Sequence, residues 1–380
     1  MLGSHPSGGT ASRNLAASGS YLRSAPLYLL GLFVIGGAML AVVTSASARQ
    51  SAFPGRNGRI LLDMHCKAGA AANSGSCGER YVMMNADGSS LRILRPVRWY
   101  GARWSPDGQR ILVARGDLFP TSISVLKPAG GPVTVIWDRQ RAKRTGLSVS
   151  NPDWLSAKRI VFLGKKGGGA WTGIYTMALD GTRLRKLRVF SGFVGGVRAS
   201  PDGRRIAFGR HPSGRPIPTD DLYVMNADGS GLRLLRKRCS LVATDWSPDG
   251  KRLLVISAAT REGPVPECVL DYDLELMSVK NGAVTHLLTE KYVVTGPGQS
   301  YGGEFRAPSF SPDGTRIAFL VDRQPNGSRT TNTVMVMNSN GTGLRKVHQG
   351  ETRVGQDPNG EVFCIRCVGY WSIAWQPLRR

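Results

Sequence analysis

One short motif recurs along the chain at nearly regular intervals, and this periodicity constrains the fold more than any other feature. Two copies are degenerate and four are nearly intact. In chain order they are GRNGRI at 55–60, SPDGQRI at 105–111, DWLSAKRI at 153–160, SPDGRRI at 200–206, SPDGKRL at 247–253 and SPDGTRI at 311–317. Aligned on their last residue, the copies lie 51, 49, 46, 47 and 64 residues apart. A period near 50 residues indicates an array of similar structural units.

Each unit has the composition of four short strands. A segment with Trp or Phe precedes the motif, and Asp-Gly then predicts a tight turn, because both residues tolerate positive φ. These turn pairs are Asp107-Gly108, Asp202-Gly203, Asp249-Gly250 and Asp313-Gly314. An apolar run follows, then a second strand such as LYVMN at 222–226, a second turn, and a last strand with Leu-Arg. Six such units without a helical period predict an all-β, six-bladed β-propeller.

The two ends of the repeated region predict how the ring closes. The first unit starts at 55–59, already past the place of a blade's first strand, whereas the chain ends on WSIAWQP at 371–377. We therefore expect the C-terminal strand to pair into the N-terminal blade, which leaves no exposed sheet edge. The alternative, an open solenoid of the same units, would need no split repeat.

The repeats resemble those of the TolB-type propellers, also called WD40-like or PD40 repeats. The copy at 200–235, SPDGRRIAF with DLYVMNADGSGLRLL, is especially close, and the resemblance covers roughly residues 53–380. The resemblance implies a noncatalytic, extracytoplasmic scaffold that binds a protein or a cell-envelope component; TolB itself acts in the periplasmic Tol–Pal envelope system. TolB carries an α/β domain ahead of its propeller. Only a few residues separate Ala48 from the first blade here, so we expect that domain to be absent.

The N-terminal region has the pattern of an export signal. Residues 1–25 are polar and carry Arg13 and Arg23, and residues 26–48 are apolar and uncharged. Ala46-x-Ala48 fits a cleavage site, which predicts a signal peptide. The apolar run also approaches the length of an uncleaved membrane anchor. Both interpretations place the following residues outside the cytoplasm, in the periplasm, the envelope or the medium, whereas the third, a buried core helix, does not.

Two short motifs suggest catalysis or metal binding and lack the context for it. GQSYG at 298–302 fits the nucleophile elbow, which needs a strand before it and a helix after it, but the sixth repeat begins shortly after it. Cys364 and Cys367 lack the second pair of a four-ligand zinc site. We therefore expect no enzyme, no cofactor and no metal. A channel-based hydrolase or lyase with a bound metal stays an alternative, with calcium at Asp271, Asp273 and Glu275 as one possibility.

Six cysteines in an extracytoplasmic chain predict three disulfides. Cys239 and Cys367 precede the aromatic residue that enters a blade, and Cys268 and Cys77 lie in the middle loops of the corresponding blades. By this alignment of repeats we expect the pairs Cys239–Cys268, Cys77–Cys367 and Cys66–Cys364. Local pairing, with Cys66–Cys77 and Cys364–Cys367, is the competing arrangement.

The links between blades are the expected binding surface, because each one crosses a propeller face to the central channel and loops on a rigid scaffold carry function. Several links combine Arg with aromatic residues, which commonly anchor protein interfaces. The candidate binding residues are Arg98, Trp99, Tyr100, Arg103, Arg141, Arg198, Tyr301, Arg306 and Trp371. Each could instead be an ordinary packed or exposed loop residue. We expect a monomer.

The chain is strongly basic, with 50 Lys and Arg against 26 Asp and Glu and a formal net charge of +24. Many of the basic residues fall on the outermost strand of a predicted blade, where charges guard a sheet edge. Others follow an SPDG turn. A charge that the repeats spread around an extracytoplasmic ring argues against nucleic acid as a partner. It leaves an anionic envelope polymer as an alternative partner.

Overall fold

The computed structural model describes residues 56–378, with gaps in that range. The gaps are residues 66–79, 97–99, 116–121, 168–169, 214–218, 262–266, 291, 297–298, 324–328, 357–361 and 368. The predicted segments 1–25 and 26–48 lie outside the described residues. Within the described part of the chain, no helix has the length and apolar composition needed to cross a bilayer.

The first half of the described chain forms three blades of antiparallel strands. Its strands are β1 (Arg56–His65), β2 (Arg80–Met84), β3 (Arg92–Pro96), β4 (Tyr100–Trp104), β5 (Ile111–Arg115), β6 (Ser122–Leu126), β7 (Thr134–Trp137), β8 (Leu147–Ser156), β9 (Arg159–Lys166), β10 (Gly173–Ala178) and β11 (Arg185–Val189). Strands β1–β3 belong to blade 1, β4–β7 form blade 2 and β8–β11 form blade 3. A short helix, α1 (Arg139–Thr145), links blades 2 and 3.

The second half forms three more blades whose sheets are partly continuous. Its strands are β12 (Phe193–Ala199), β13 (Arg205–His211), β14 (Thr219–Asn226), β15 (Arg233–Trp246), β16 (Arg252–Arg261), β17 (Glu267–Ser278), β18 (Val284–Glu290), β19 (Tyr292–Gly296), β20 (Gln299–Phe310), β21 (Arg316–Arg323), β22 (Arg329–Asn338), β23 (Arg345–Gln356), β24 (Val362–Cys367) and β25 (Gly369–Leu378). The 14-residue strand β15 ends blade 4 and starts blade 5, so β12–β18 form one sheet. Blade 6 consists of β20–β23, and β19 and β24 extend its sheet on either side.

The C-terminal strand closes the ring. Strand β25 pairs antiparallel with β1, with Trp375 opposite Ile60 and Ile373 opposite Leu62, and the first sheet therefore has the order β25-β1-β2-β3. The side chain of Asn57 on β1 donates to Asp313 in the turn of blade 6, over 2.8 Å. The chain is thus an all-β propeller of six blades, as predicted, whose first blade takes its innermost strand from the C-terminus.

Buried apolar side chains fill the spaces between neighbouring blades. Ile60 and Leu62 of blade 1 belong to one buried cluster with Ala318 and Leu320 of blade 6. The same arrangement recurs between the other blades; for example, Val161 and Leu163 of blade 3 pack with Ile206 and Phe208 of blade 4. Since each fully buried aliphatic side chain contributes roughly 1.5–3 kcal/mol, the contacts between blades are a main source of the ring's stability.

The SPDG turn is a compact hydrogen-bonded unit. In the copy of blade 4, the Ser200 hydroxyl accepts from the amide of Arg205 over 2.9 Å, and the Asp202 carboxylate accepts from the amide of Arg204 over 3.0 Å. Burial raises the pKa of the Asp202 carboxyl, but hydrogen bonds from Ser200 and Arg204 and nearby arginines outweigh it, and the pKa is lowered. The copies that begin at Ser105, Ser247 and Ser311 make the same amide bonds.

The glycine of this turn is required for two reasons. Gly108 has a φ of 66°, a region that other L-residues enter only at a cost. A Cβ atom on Gly108 would also lie 1.8 Å from the carbonyl oxygen of Pro377 on β25. Gly203 lies in the same way against the carbonyl oxygen of Leu155 in blade 3. In blades 2 and 4 the turn therefore presses against the preceding blade with no room for a side chain, whereas a Cβ atom on Gly250 or Gly314 would lie 3.3 or 3.5 Å from its nearest neighbour.

The arginine that follows the turn connects neighbouring blades. Arg205 of blade 4 donates to the carbonyl of Gly250 in blade 5 over 2.8 Å, and its guanidinium lies 5.1 Å from the ring centre of Trp246. Arg110 of blade 2 makes the same pair of contacts with Ala157 and Trp154 of blade 3. Part of the basic charge of the chain is thus used to hold the ring together.

Candidate binding site in the central channel

The six innermost strands carry structurally equivalent residues just before their SPDG-type turns. In the repeat alignment, Arg103 on β4, Asp153 on β8 and Asp245 on β15 each directly precede a tryptophan. Arg198 on β12 has the same place and precedes Ala199. All four charged side chains are at most 2% exposed. Ser309 on β20 and Ala374 on β25 occupy the remaining two places. We call this set of six the inner ring.

A repeated bulge sets the direction of the inner-ring residues. Each innermost strand except β25 has a register shift immediately before its inner-ring residue. In four strands the residue two places earlier has positive φ; these are Gly101, Asn151, Gly196 and Ala307, with φ of 73°, 48°, 52° and 46°. Bulges of this kind re-aim the following side chains and are common next to functional sites. Asn151 and Ala307 adopt the conformation without the freedom of glycine, which costs free energy.

Asp153 links three successive blades. Its carboxylate accepts from the amide of Trp154 in its own strand over 2.9 Å and from the amide of Ala199 in blade 4 over 3.0 Å. On the other side, Nε of Arg103 in blade 2 lies 3.7 Å from Oδ1 of Asp153. The buried carboxylate is therefore compensated by two amides and one cation, as a buried charge must be.

The next two members continue the linkage in the same direction. Arg198 in blade 4 donates from Nε to the carbonyl of Thr244 in blade 5 over 2.9 Å. Asp245 then accepts from the amide of Phe310 in blade 6 over 2.8 Å and from the hydroxyl of Ser309 over 3.1 Å. Buried polar contacts thus run from blade 2 to blade 6, and Ala374 in blade 1 interrupts them.

The electrostatics of the inner ring are dominated by burial. Burial lowers the pKa of the Arg103 guanidinium to about 10, against the opposing effect of the Asp153 and Asp245 carboxylates. Burial also raises the pKa of the Asp245 carboxyl well above its usual range, although the amides of Phe310 and Trp246 and the charge of Arg103 oppose the shift. Arg103 and Asp245 lie in blades 2 and 5, which face each other in a six-membered ring. Their mutual influence therefore acts across the channel.

The candidate binding residues separate into three groups. Arg103 and Arg198 are buried inner-ring residues on strands rather than residues of the links. Arg141 lies on α1, donates to the carbonyls of Ile136 and Gly181, and its guanidinium lies 5.3 Å from the ring centre of Trp137. The third group comprises the remaining candidates, of which Tyr100, Tyr301, Arg306 and Trp371 lie on innermost strands.

Two of this last group occupy the same register position, and a third lies beside it. Tyr100 pairs with Ala114 and Arg306 with Leu320, whereas at the equivalent position of blade 1 Asp63 pairs with Ser372, and Trp371 is the bulged residue next to it. Tyr100, Arg306 and Trp371 each lie three residues before the inner-ring residue of their strand, on β4, β20 and β25. These strands belong to blades 2, 6 and 1, which are consecutive around the ring. Nε of Arg306 lies 2.8 Å from a carboxylate oxygen of Asp322 on β21. Arg98 and Trp99 lie outside the described residues, and Tyr301 is placed on β20 by its backbone.

The same level of the other three blades carries small or aliphatic residues. The equivalent positions are Ser150 on β8, Gly195 on β12 and Val242 on β15. The residues that the sequence places on the innermost strands above the inner ring therefore differ between two halves of the ring. We call blades 6, 1 and 2 the aromatic half, and blades 3, 4 and 5 the plain half.

The cysteines and the GQSYG segment lie on strands where the structure describes them. Cys239 and Cys268 lie on β15 and β17, and both strands pair with β16. Cys364 and Cys367 lie on β24, whereas Cys66 and Cys77 lie outside the described residues, so the disulfide pairs stay predictions. Ser300 of the GQSYG segment lies within the long strand β20, and a nucleophile elbow is a turn from strand to helix.

The acidic segment around Asp273 is already bonded within blade 5. Asp273 accepts from the Thr289 hydroxyl over 2.6 Å and lies 3.3 Å from Nε2 of His286. The same nitrogen of His286 contacts Thr289, so the three groups do not form a relay with a base between an acid and a nucleophile. Glu275 accepts from the Ser257 hydroxyl over 2.9 Å. Among the described residues no cluster of three or more His, Cys, Asp or Glu side chains could hold a metal ion.

The inner-ring members Asp153, Asp245 and Ser309 were missed by the sequence reasoning. The sequence does contain a signal for these three residues. Each is followed by an aromatic residue, and that aromatic residue is followed by an SPDG-type turn. Superposing the six repeats on that position gives Arg, Asp, Arg, Asp, Ser and Ala in consecutive blades. An alternation of opposite charges at one position indicates contacts between neighbouring repeats.

Comparison with known proteins supports the assignment of the fold. No family model matches the chain. A protein described as Protein TolB homolog from Chlorobium luteolum is 30% identical over 164 residues, which cover 43% of this chain and 31% of that protein. The match thus spans about a third of the relative's length.

Solved structures share the architecture at low sequence identity. The crystal structure of TolB from Acinetobacter baumannii matches with a TM-score of 0.56 and 18% identity over 84% of this chain and 67% of that chain. A chain in a crystal structure of a nidogen/laminin complex matches with a TM-score of 0.50 and 12% identity, over 85% of this chain and all of that chain. These features define a six-bladed β-propeller closed by its C-terminal strand. The chain is similar to TolB in this fold, and part of it is similar in sequence to a TolB homolog.

Proposed function

We propose that this protein is an extracytoplasmic, noncatalytic scaffold whose channel mouth binds a protein or another component of the cell envelope. The observation that carries the proposal is the position of Tyr100, Arg306 and Trp371 on the innermost strands of three consecutive blades, with Tyr100 and Arg306 at one level and Trp371 in the adjacent bulge of β25. Arginine and large aromatic residues supply most of the binding energy at protein interfaces. A half-ring of such residues on a rigid scaffold is suited to recognition.

The rigidity of that scaffold comes from the inner ring below. The contacts of Asp153 and Asp245 hold the innermost strands of adjacent blades at fixed positions. A preorganised surface loses little conformational entropy on binding, so more of the contact energy appears as affinity. The proposed site further includes Arg98, Trp99 and Tyr301 from the links and neighbouring strands.

The likeness to TolB supports an extracytoplasmic location, together with the export pattern of residues 26–48. Residues 26–48 are either cleaved as a signal peptide or retained as a membrane anchor. Detection of the protein in envelope and soluble extracytoplasmic fractions, with the N-terminus of the mature chain sequenced, tests both. Recovery of the whole protein from the cytoplasm would contradict the proposed location.

Photocrosslinking from defined positions tests the proposed surface. A photoreactive residue placed at position 371 is expected to capture one protein or envelope component, and the capture should persist when envelope fractions are irradiated at high salt. A photoreactive residue at position 344, exposed directly before the outer strand β23 of blade 6, is the matched control. Equal capture from both positions, or none from position 371, would count against the channel mouth as the binding site.

A further inference from the structure

The basic charge of the chain is concentrated on one side of the ring. Residues 138–237, from α1 to the end of blade 4, contain twenty Lys and Arg and seven Asp and Glu, a net charge of +13. Residues 244–290, which form most of blade 5, contain four basic and eight acidic residues, a net charge of −4. Both segments consist of the same repeat, so the fold does not require this difference.

Six exposed cations lie on two neighbouring elements of the basic side. They are Arg139, Lys143, Arg144, Arg185, Lys186 and Arg188. The first three lie on α1 and the others on β11, the outer strand of blade 3. We call them the α1–β11 surface. None of the six forms an ion pair with a carboxylate in the part of the chain that the structure describes.

Contacts of other residues hold the two elements together. Arg141 of α1 donates to the carbonyl of Gly181, in the turn directly before β11. The Asp138 side chain caps α1 by accepting from the amide of Arg141 over 2.7 Å, and Gly146 ends the helix in the left-handed conformation. The cations are thus displayed on fixed backbone.

The three nearby carboxylates are engaged within their own turns. Asp138 serves as the helix cap, and Asp180 accepts from the amide and the hydroxyl of Thr182 over 2.8 and 2.6 Å. Asp228 of blade 4, whose pKa is lowered chiefly by hydrogen bonds from Ser230 and also by the charge of Arg185, accepts from the amide and the hydroxyl of Ser230 over 2.8 and 2.6 Å. Six cations against three such carboxylates leave the surface positive. Such a surface attracts a ligand with repeated negative charges and releases its condensed counterions on binding.

We propose that the α1–β11 surface binds a linear anionic polymer that carries closely spaced phosphate or carboxylate groups. A flexible polymer can follow cations from the helix onto the edge strand. A bilayer would favour a surface with large apolar side chains beside the cations; α1 has none larger than Ala142, and the large apolar residues exposed beside the β11 cations are the aliphatic Leu184 and Val189. This surface goes beyond the proposed function, because it lies on the link between blades 2 and 3 and on the outer strand of blade 3, and it shares no residue with the aromatic half of the channel.

Binding of labelled polyphosphate by the full chain tests the proposal. We expect saturable binding that weakens with salt, with a slope of about −4 in log K against log salt concentration for six contacts with a flexible polyanion. The variant with Arg139→Gln, Lys143→Gln and Arg144→Gln should bind polyphosphate roughly 10- to 100-fold more weakly, because each cation near an anionic ligand adds to the binding free energy.

The matched control removes three cations elsewhere, with Lys251→Gln, Lys280→Gln and Arg316→Gln. These residues are exposed and lie in blades 5 and 6. The control should retain the wild-type affinity within about threefold, since long-range effects are screened beyond roughly 10 Å. Thermal melts of both variants establish that they fold.

Three results would overturn the proposal. They are absence of polyphosphate binding, equal loss in the two triple variants, and stronger binding to phosphatidylglycerol vesicles that polyphosphate does not displace. Capture from position 371 is measured separately. The polymer proposal can therefore fail while the channel-mouth proposal holds, and the reverse.

Discussion

The two halves of the central channel are built in different ways from the same repeat. In the plain half, blades 3, 4 and 5 contribute the buried charges Asp153, Arg198 and Asp245, with small or aliphatic residues above them. In the aromatic half, blades 6 and 1 contribute the uncharged Ser309 and Ala374, blade 2 contributes the buried Arg103, and larger residues lie further along the innermost strands. Buried charge is costly and serves to fix the strands, whereas aromatic residues and arginine suit recognition. The comparison shows how one repeat can separate stability from binding.

The largest expected effect is loss of the buried carboxylate in blade 5. Asp245→Ala leaves the amides of Trp246 and Phe310 without their acceptor, which should cost about 3–5 kcal/mol of unfolding free energy, as removal of one partner of a buried charged group does. Urea unfolding measures it.

The control in the other half is Ser309→Ala, which removes one hydroxyl bond and should cost about 1 kcal/mol. If Asp245→Ala fails to fold, Asp245→Asn, which keeps one acceptor oxygen, supplies the comparison. Equal stability of the wild type and Asp245→Asn would refute the structural role of the carboxylate.

At the closure, the turn of blade 2 packs closely against β25, as the turn at Gly203 packs against blade 3 in the plain half. Gly108→Ala places a Cβ against the carbonyl of Pro377 and forces an L-residue into positive φ, so it should cost more than about 2 kcal/mol. Gly146→Ala has a similar φ of 64° and nothing within 4 Å of the new Cβ. It should cost only about 1–2 kcal/mol. Indistinguishable melting temperatures for these variants would show that the turn does not press on β25.

A smaller effect concerns the pH dependence of the turns that both halves share. The pKa of Asp202 is lowered in the folded chain, so its ionised form adds stability above the unfolded pKa of about 4, and the gain is lost as pH falls through the folded pKa. Asp202→Asn should therefore be less stable than the wild type at pH 7 and should converge with it in acid. Unfolding curves measured across this range check the sign, and a difference that widens in acid would contradict it.

The sequence predicts the repeating parts of the fold because they are local. SPDG turns, apolar strands and the split first repeat are visible as residue patterns, and they lead to six blades and their closure. The sequence does not predict that β15 continues from blade 4 into blade 5. This continuity depends on pairing of β15 with β14 of blade 4 and with β16 of blade 5, which no local residue pattern shows. The alternating charges of Arg103, Asp153, Arg198 and Asp245 become meaningful only when the repeats are superposed around an axis.

The same limit applies to the candidate binding residues. Arg141 was selected as an arginine near an aromatic residue, and its guanidinium holds α1 to the turn at Gly181. Tyr100, Arg306 and Trp371 were selected one at a time from separate links. The common level of Tyr100 and Arg306, with Trp371 in the adjacent bulge of β25, follows from the register of three strands, and residue type alone does not reveal it.

The most direct test of the scaffold compares the two halves of the channel in one binding measurement. The component captured from position 371 is titrated against the wild type, against Tyr100→Ala with Trp371→Ala, and against Ser150→Ala with Val242→Ala. We expect the aromatic pair to weaken binding by roughly 30-fold or more, since each anchor contributes at least about 1 kcal/mol, and the plain pair to leave it nearly unchanged. Equal affinities for all three proteins would contradict recognition by the aromatic half.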